Sequence, residues 1–101
     1  MRNEMKVICV DLDGTLCKGE CWTPKQCQEA ESIKENIEKL RKIADKHIII
    51  IYTARSDKLM SATFAWLHRN GIPFRAVSNN KVGADLYIDD KSINPQKRRW
   101  V

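Results

Sequence analysis

Long apolar runs are missing from this chain. None approaches the ~20 residues that a membrane-crossing helix needs, so no membrane partner is expected. A secretory leader is not expected either, because Met1-Arg2-Asn3-Glu4 runs straight into a strand-like apolar stretch. The cysteines do not form a disulfide framework. Cys9 falls in that apolar stretch, and Cys17, Cys21 and Cys27 fall in one loop region. Without a leader, a reducing cytoplasm is the expected setting. The three loop cysteines lack a CxxC pair and neither His47 nor His68 lies nearby in sequence, so free thiols are favoured over structural zinc. Repeats, low-complexity tracts and linkers are absent. The 101 residues are read as one domain, 1–101, with room for a single core.

Positive charge is in excess, at +5. A basic surface attracts anions, phosphorylated metabolites and nucleic acid among them. Part of the excess is local, in Lys97-Arg98-Arg99, which reads as a solvated terminal run.

The chain is organised around Lys6-Val7-Ile8-Cys9-Val10-Asp11-Leu12-Asp13-Gly14-Thr15-Leu16. Continuous apolar residues mark a strand buried on both faces. Acidic side chains are rarely buried unless paired or bound to metal, so Asp11 and Asp13 belong where the strand ends. Gly14 predicts that the strand stops there, because glycine takes backbone angles other residues avoid.

Alternating elements follow. Thr23-Pro24-Lys25-Gln26 has the form of a capped helix start giving a short turn, and Ser32 with Glu35 predicts a second start. Ile33, Ile37, Leu40 and Ala44 define an amphipathic helix over 33–45. Residues 47–52, with four consecutive isoleucines, predict a buried strand. A helix over 57–69 is expected next, capped by Ser56, with Leu59, Ala62, Phe64, Trp66 and Leu67 as its apolar stripe. Asn70-Gly71 closes it. Strands are expected at 74–77 and 84–88, separated by a polar loop, and Asn94-Pro95 marks a final turn. This alternation predicts an α/β fold with a parallel sheet and right-handed crossovers. Ligands in such sheets bind beyond the carboxyl ends of the strands.

Those ends supply Asp11, Asp13, Thr53, Lys81, Asp89 and Asp90. Four carboxylates on one rim require a counter-charge. Mg2+ suits them, since it takes oxygen ligands, keeps waters, and is held by one or two carboxylates plus substrate phosphate.

Asp11-Leu12-Asp13-Gly14-Thr15 after an apolar strand resembles the first motif of the haloacid dehalogenase (HAD) superfamily. Thr53 resembles its second motif, Lys81 its third and Asp89-Asp90 its fourth, in the right order across most of the chain. Thr53-Ala54-Arg55 with the stretch 84–91 is further similar to small phosphatase-like members associated with polysaccharide biosynthesis. The resemblance implies a three-layer Rossmann-like sheet with flanking helices. It also implies a Mg2+-dependent phosphatase working through an aspartyl-phosphate. Asp11 would be nucleophile and metal ligand. Asp13 would be general acid and base, and would offer its backbone carbonyl to the metal. Thr53 and Lys81 would hold the phosphoryl group, and Asp90, supported by Asp89, would complete the metal site. An acid at position 13 favours phosphoryl transfer over dehalogenation. Arg55 would reach a second anionic group, with a surface ion pair as the alternative.

The gaps at 16–33 and 56–80 are too short for the cap domain that many relatives carry. The site is therefore expected to be open or covered by a second copy of the chain. Trp22, in the flap, is a substrate-contact candidate, with packing on the domain as the alternative. A small phosphorylated metabolite such as a sugar phosphate is the expected substrate. A nucleic-acid end is the alternative, favoured by the basic tail but lacking an aromatic ladder. A non-catalytic phosphate- or partner-binding domain is the third reading.

Overall fold

An interior strand of a parallel sheet usually buries both faces, and the apolar residues of the opening stretch from Ile8 onward are buried. The computed structural model describes residues 5–80 and 83–89. In it Val7–Asp11 forms β1, with Ile8, Cys9 and Val10 all buried. Ile48–Tyr52 forms β2, Ala76–Ser78 forms β3 and Leu86–Ile88 forms β4. The sheet is parallel, in the order β3-β2-β1-β4. β1 is thus central, as its apolar run requires. β3 begins two residues later than its sequence suggested. Lys81, Asp90, the Asn94-Pro95 turn and the basic run Lys97-Arg98-Arg99 lie outside the described residues.

Among the described residues three helices connect the strands. Pro24–Glu29 forms α1, longer than the single turn expected, and Thr23 and Gln26 complete the capping box. Lys34–Ala44 forms α2, burying Asn36, Ile37, Leu40 and Ile43. Its N-cap is Ile33 with no side-chain cap bond, so Ser32 does not cap it. Ser32 instead bridges to Cys17, which leaves its backbone in extended pairing. A 3-10 turn, Asp57–Leu59, leads into α3, Met60–Arg69. Ser56 stands at the turn's start but makes no capping bond with its side chain. The buried side of α3 is Ala62, Thr63, Trp66 and Leu67. Phe64, expected in that stripe, is 38% exposed, because helical spacing puts it at the margin of the face formed by Ala62, Thr63, Trp66 and Leu67, where its ring meets Phe74. Gly71, at φ +63°, ends the helix.

Strand alternation shows where the helices pack. Ile8 and Val10 of β1, Ile49 and Ile51 of β2 and Ile88 of β4 share one core with Ile37, Leu40 and Ile43 of α2 and with Trp66 and Leu67 of α3. Each fully buried aliphatic contributes roughly 1.5–3 kcal/mol. α1 packs on α3 through Cys27, Leu59 and Ala62. The described helices therefore lie on one side of the sheet. Two right-handed crossovers running the same way, β1 to β2 to β3, put their helices on the same face. No described element forms the third layer expected from the resemblance. The other face presents Cys9 opposite Ile50 and Tyr87, and Asp11 opposite Tyr52. No helix among the described residues is long and apolar enough to cross a membrane.

Candidate functional site

The site grows from the end of β1. Backbone pairing continues one residue past β1, through Leu12 N–H to the Tyr52 carbonyl at 3.0 Å. The chain then turns. Gly14 takes φ +88°, which only glycine adopts easily. The N–H of Gly14 donates to the Cys17 carbonyl at 2.8 Å, and that of Leu16 to the Leu12 carbonyl at 2.9 Å. The turn is pinned from α2, where buried Asn36 donates from Nδ2 to the Thr15 carbonyl at 2.9 Å. It is pinned again where Ile33 N–H meets the Leu16 carbonyl at 2.8 Å. Asp13 is thereby fixed beside the strand end.

Asp13 is met from across the sheet. Thr53, fully buried just after β2, donates from Oγ1 to Asp13 Oδ2 at 3.3 Å. The Thr53 hydroxyl also accepts the Arg55 N–H at 3.2 Å, which turns the Arg55 side chain inward. Arg55 then donates to both Asp13 oxygens, at 2.7 Å from Nη2 and 3.3 Å from Nε. Cys17 Sγ adds a weak contact to Oδ1 at 3.6 Å. An ionised carboxylate has about four lone-pair positions, and four donors address this one. For Asp13 to take or give a proton, one of these donors must swing aside.

The Arg55 side chain is only 3% exposed. Its Nη1 donates to Thr63 Oγ1 at 2.8 Å, and its Nη2 reaches Cys21 Sγ at 3.1 Å and Cys17 Sγ at 3.5 Å. Burial alone would lower the guanidinium's pKa, but the hydrogen bond and charge of Asp13 raise it above the ordinary value. Arg55 lines the cleft, and its guanidinium faces Asp13 rather than a surface carboxylate. Burial, then the charge of Asp13, pushes the Cys17 thiol up to about 12, with Arg55 opposing. Burial likewise pushes Cys21 up to about 11. Both remain neutral thiols at ordinary pH, as inert packing cysteines do.

Asp11, Asp13 and Arg55 line one cleft of about 460 Å³, with Tyr52, Glu20 and Trp22 toward its rim. On the other side Asp11 shares a small hollow with Tyr52, Tyr87 and Asp89. Asp11 thus stands between Asp13 and Asp89, where β1 and β4 end side by side. Thr53 approaches through its bond to Asp13, whereas Lys81 and Asp90 lie outside the described residues.

Comparisons of the chain with protein-family models, with curated proteins and with solved structures gave no match.

Among the described residues no three His, Cys, Asp or Glu side chains gather into a metal cage. The neighbouring carboxylates of Asp11 and Asp89 fit the sparser demand of magnesium, one or two carboxylates completed by waters and phosphate. The Asp13 side chain is engaged by its four donors.

The sequence reading missed Thr63, Cys17 and Cys21 as partners of Arg55. Thr63 had a visible signal, a hydroxyl inside an otherwise apolar helix stripe. The two sulfurs had none, because nothing in their spacing shows that the flap folds back over residue 55.

Proposed function

We propose that this chain is a Mg2+-dependent phosphomonoester hydrolase of the HAD type, with a Rossmann-like sheet and no cap. One observation supports this most. Two carboxylates, Asp11 and Asp13, line a single cleft at the carboxyl end of the central parallel strand, beside the end of β4 with its Asp89. That is where ligands bind in such sheets.

In this reading an Asp11 oxygen attacks phosphorus and the ester bond to the leaving oxygen breaks. The leaving oxygen takes a proton from Asp13, and the phosphoryl group is now on Asp11. Water then attacks the same phosphorus and gives its proton to Asp13, and the bond to Asp11 breaks to release phosphate. Asp13 needs a free lone pair in both halves, so Thr53 or the Arg55 Nε is the donor that moves, both bonds being long at 3.3 Å. Where Thr53 is the donor that moves, its Oγ1 becomes available to a phosphoryl oxygen, and Lys81 would neutralise the phosphoryl group. Asp11, the Asp13 carbonyl, Asp89 and Asp90 would hold the magnesium. A bound Mg2+ supplies charge neutralisation between the carboxylate nucleophile and the phosphate.

The test is phosphate release by the purified protein with Mg2+ from a phosphometabolite panel, p-nitrophenyl phosphate, and 3′- and 5′-phosphorylated oligonucleotides. Turnover that EDTA stops and Mg2+ restores is expected. No phosphate from any of these substrates overturns the reading in favour of a non-catalytic binding domain. Restoration by zinc alone would move the metal away from the oxygen ligands named here.

A further inference from the structure

Trp22 is 77% exposed, and a large aromatic ring left in water at the mouth of a polar cleft calls for a reason. Its backbone is not loose. Trp22 N–H donates to Gln26 Oε1 at 2.8 Å, inside the capping box that starts α1. The residue before it, Cys21, is buried against Cys27, Leu59 and Ala62. Cys21 thus anchors the rim inward and turns Trp22 outward, so the ring is presented by a fixed backbone.

The charge of the cleft points the same way. Its described lining holds Asp11, Asp13 and Glu20 against Arg55 alone, and the Arg55 guanidinium is engaged by Asp13 and Thr63. The positive excess of the chain is therefore not concentrated in this lining. The described lining thus offers no unengaged cation to a group carrying further negative charge, such as the next phosphates of a nucleic-acid strand. The volume, about 460 Å³, lies in the range of small-molecule sites.

We propose that the cleft takes a phosphomonoester whose carried group is an uncharged, hydroxyl-bearing ring, a sugar phosphate. Trp22 stacks on the ring's apolar face and Glu20 accepts hydrogen bonds from its hydroxyls. This rests on the phosphatase reading for turnover, but not for binding. Trp22 sets specificity and takes no part in the chemistry.

Hexose phosphates, glycerol 3-phosphate, nucleoside 5′-monophosphates and a 5′-phosphorylated oligonucleotide are compared with Mg2+ present. Hexose phosphates are expected to have the highest kcat/KM. Trp22→Ala should lower kcat/KM for the best hexose phosphate about tenfold more than for glycerol 3-phosphate, equivalent to about 1.4 kcal/mol. Trp22→Phe should recover most of that loss, and Glu20→Gln should again penalise the hexose more than glycerol. Equal losses on both substrates, or a preference for nucleotides or the oligonucleotide, overturn the proposal while leaving the phosphatase reading standing. If no substrate turns over, binding of the hexose phosphates is measured by calorimetry. Affinity that falls with Trp22→Ala then supports the ring site while the hydrolase reading fails, and no binding overturns both.

Discussion

Arg55 grips Asp13 with two nitrogens, Nη2 at 2.7 Å from one carboxylate oxygen and Nε at 3.3 Å from the other. The pair joins the turn after β1 to the segment after β2. Thr63 of α3 anchors its far end at 2.8 Å. A charge this buried is tolerable only because it is paired.

Arg55→Ala should therefore destabilise the fold by about 3–5 kcal/mol, the usual cost of stripping one partner from a buried pair. Arg55→Lys should recover only part, since a single ammonium cannot span two oxygens and also reach Thr63. Urea unfolding measures both. A midpoint for Arg55→Ala equal to wild type would show that the pair contributes nothing.

Asp11→Asn should abolish phosphate release while leaving the circular dichroism spectrum unchanged. The amide keeps the shape of the carboxylate but is a poor nucleophile. A variant that retains the wild-type rate would remove Asp11 from the nucleophile's place.

Stability should fall as pH rises above about 9. The ordinary thiol value is 9.0, whereas Cys17 is held near 12 and Cys21 near 11 in the fold. Between these values the unfolded chain has lost protons that the folded chain keeps, so raising pH favours unfolding. The stability conferred by these neutral thiols is complete below pH 9. Melting temperature recorded from pH 7 to 11 checks the sign, and Cys17→Ser with Cys21→Ser should flatten the decline. A melting temperature that climbs across this interval would contradict it.

Asn36→Ala should cost ~1–3 kcal/mol, because the Thr15 carbonyl loses its buried donor. The loss should be felt locally as well, as faster amide exchange at Gly14 and Leu16, whose N–H groups close the turn. Unchanged exchange at both amides would mean that the turn holds itself without α2.

Much of this architecture was legible in the chain. The four-residue apolar run before Asp11 and the four isoleucines before Tyr52 read as central strands, because their side chains have no polar face to offer water. The stop at Gly14 and the box at Thr23 were legible too, since both are short-range backbone chemistry. Strand alternation carried the carboxylates to strand ends, which brought Asp11 and Asp13 into one cleft.

Three features were decided by packing at long range. Phe64 looked as apolar as Trp66, but it stands at the margin of the buried face of α3, against Phe74. Ser32 had the composition of a cap, but Cys17 claimed its backbone first. Arg55 offered five donors and no local hint of their acceptors. Those acceptors come from residues 13, 17, 21 and 63, and only the closing of the turn and flap over α3 brings them within reach. Sequence by itself determined which strands are buried and where their carboxylates emerge, because burial and alternation act residue by residue. Tertiary structure alone decided what Asp13 touches, because a buried charge takes its partner from whatever the fold brings to it.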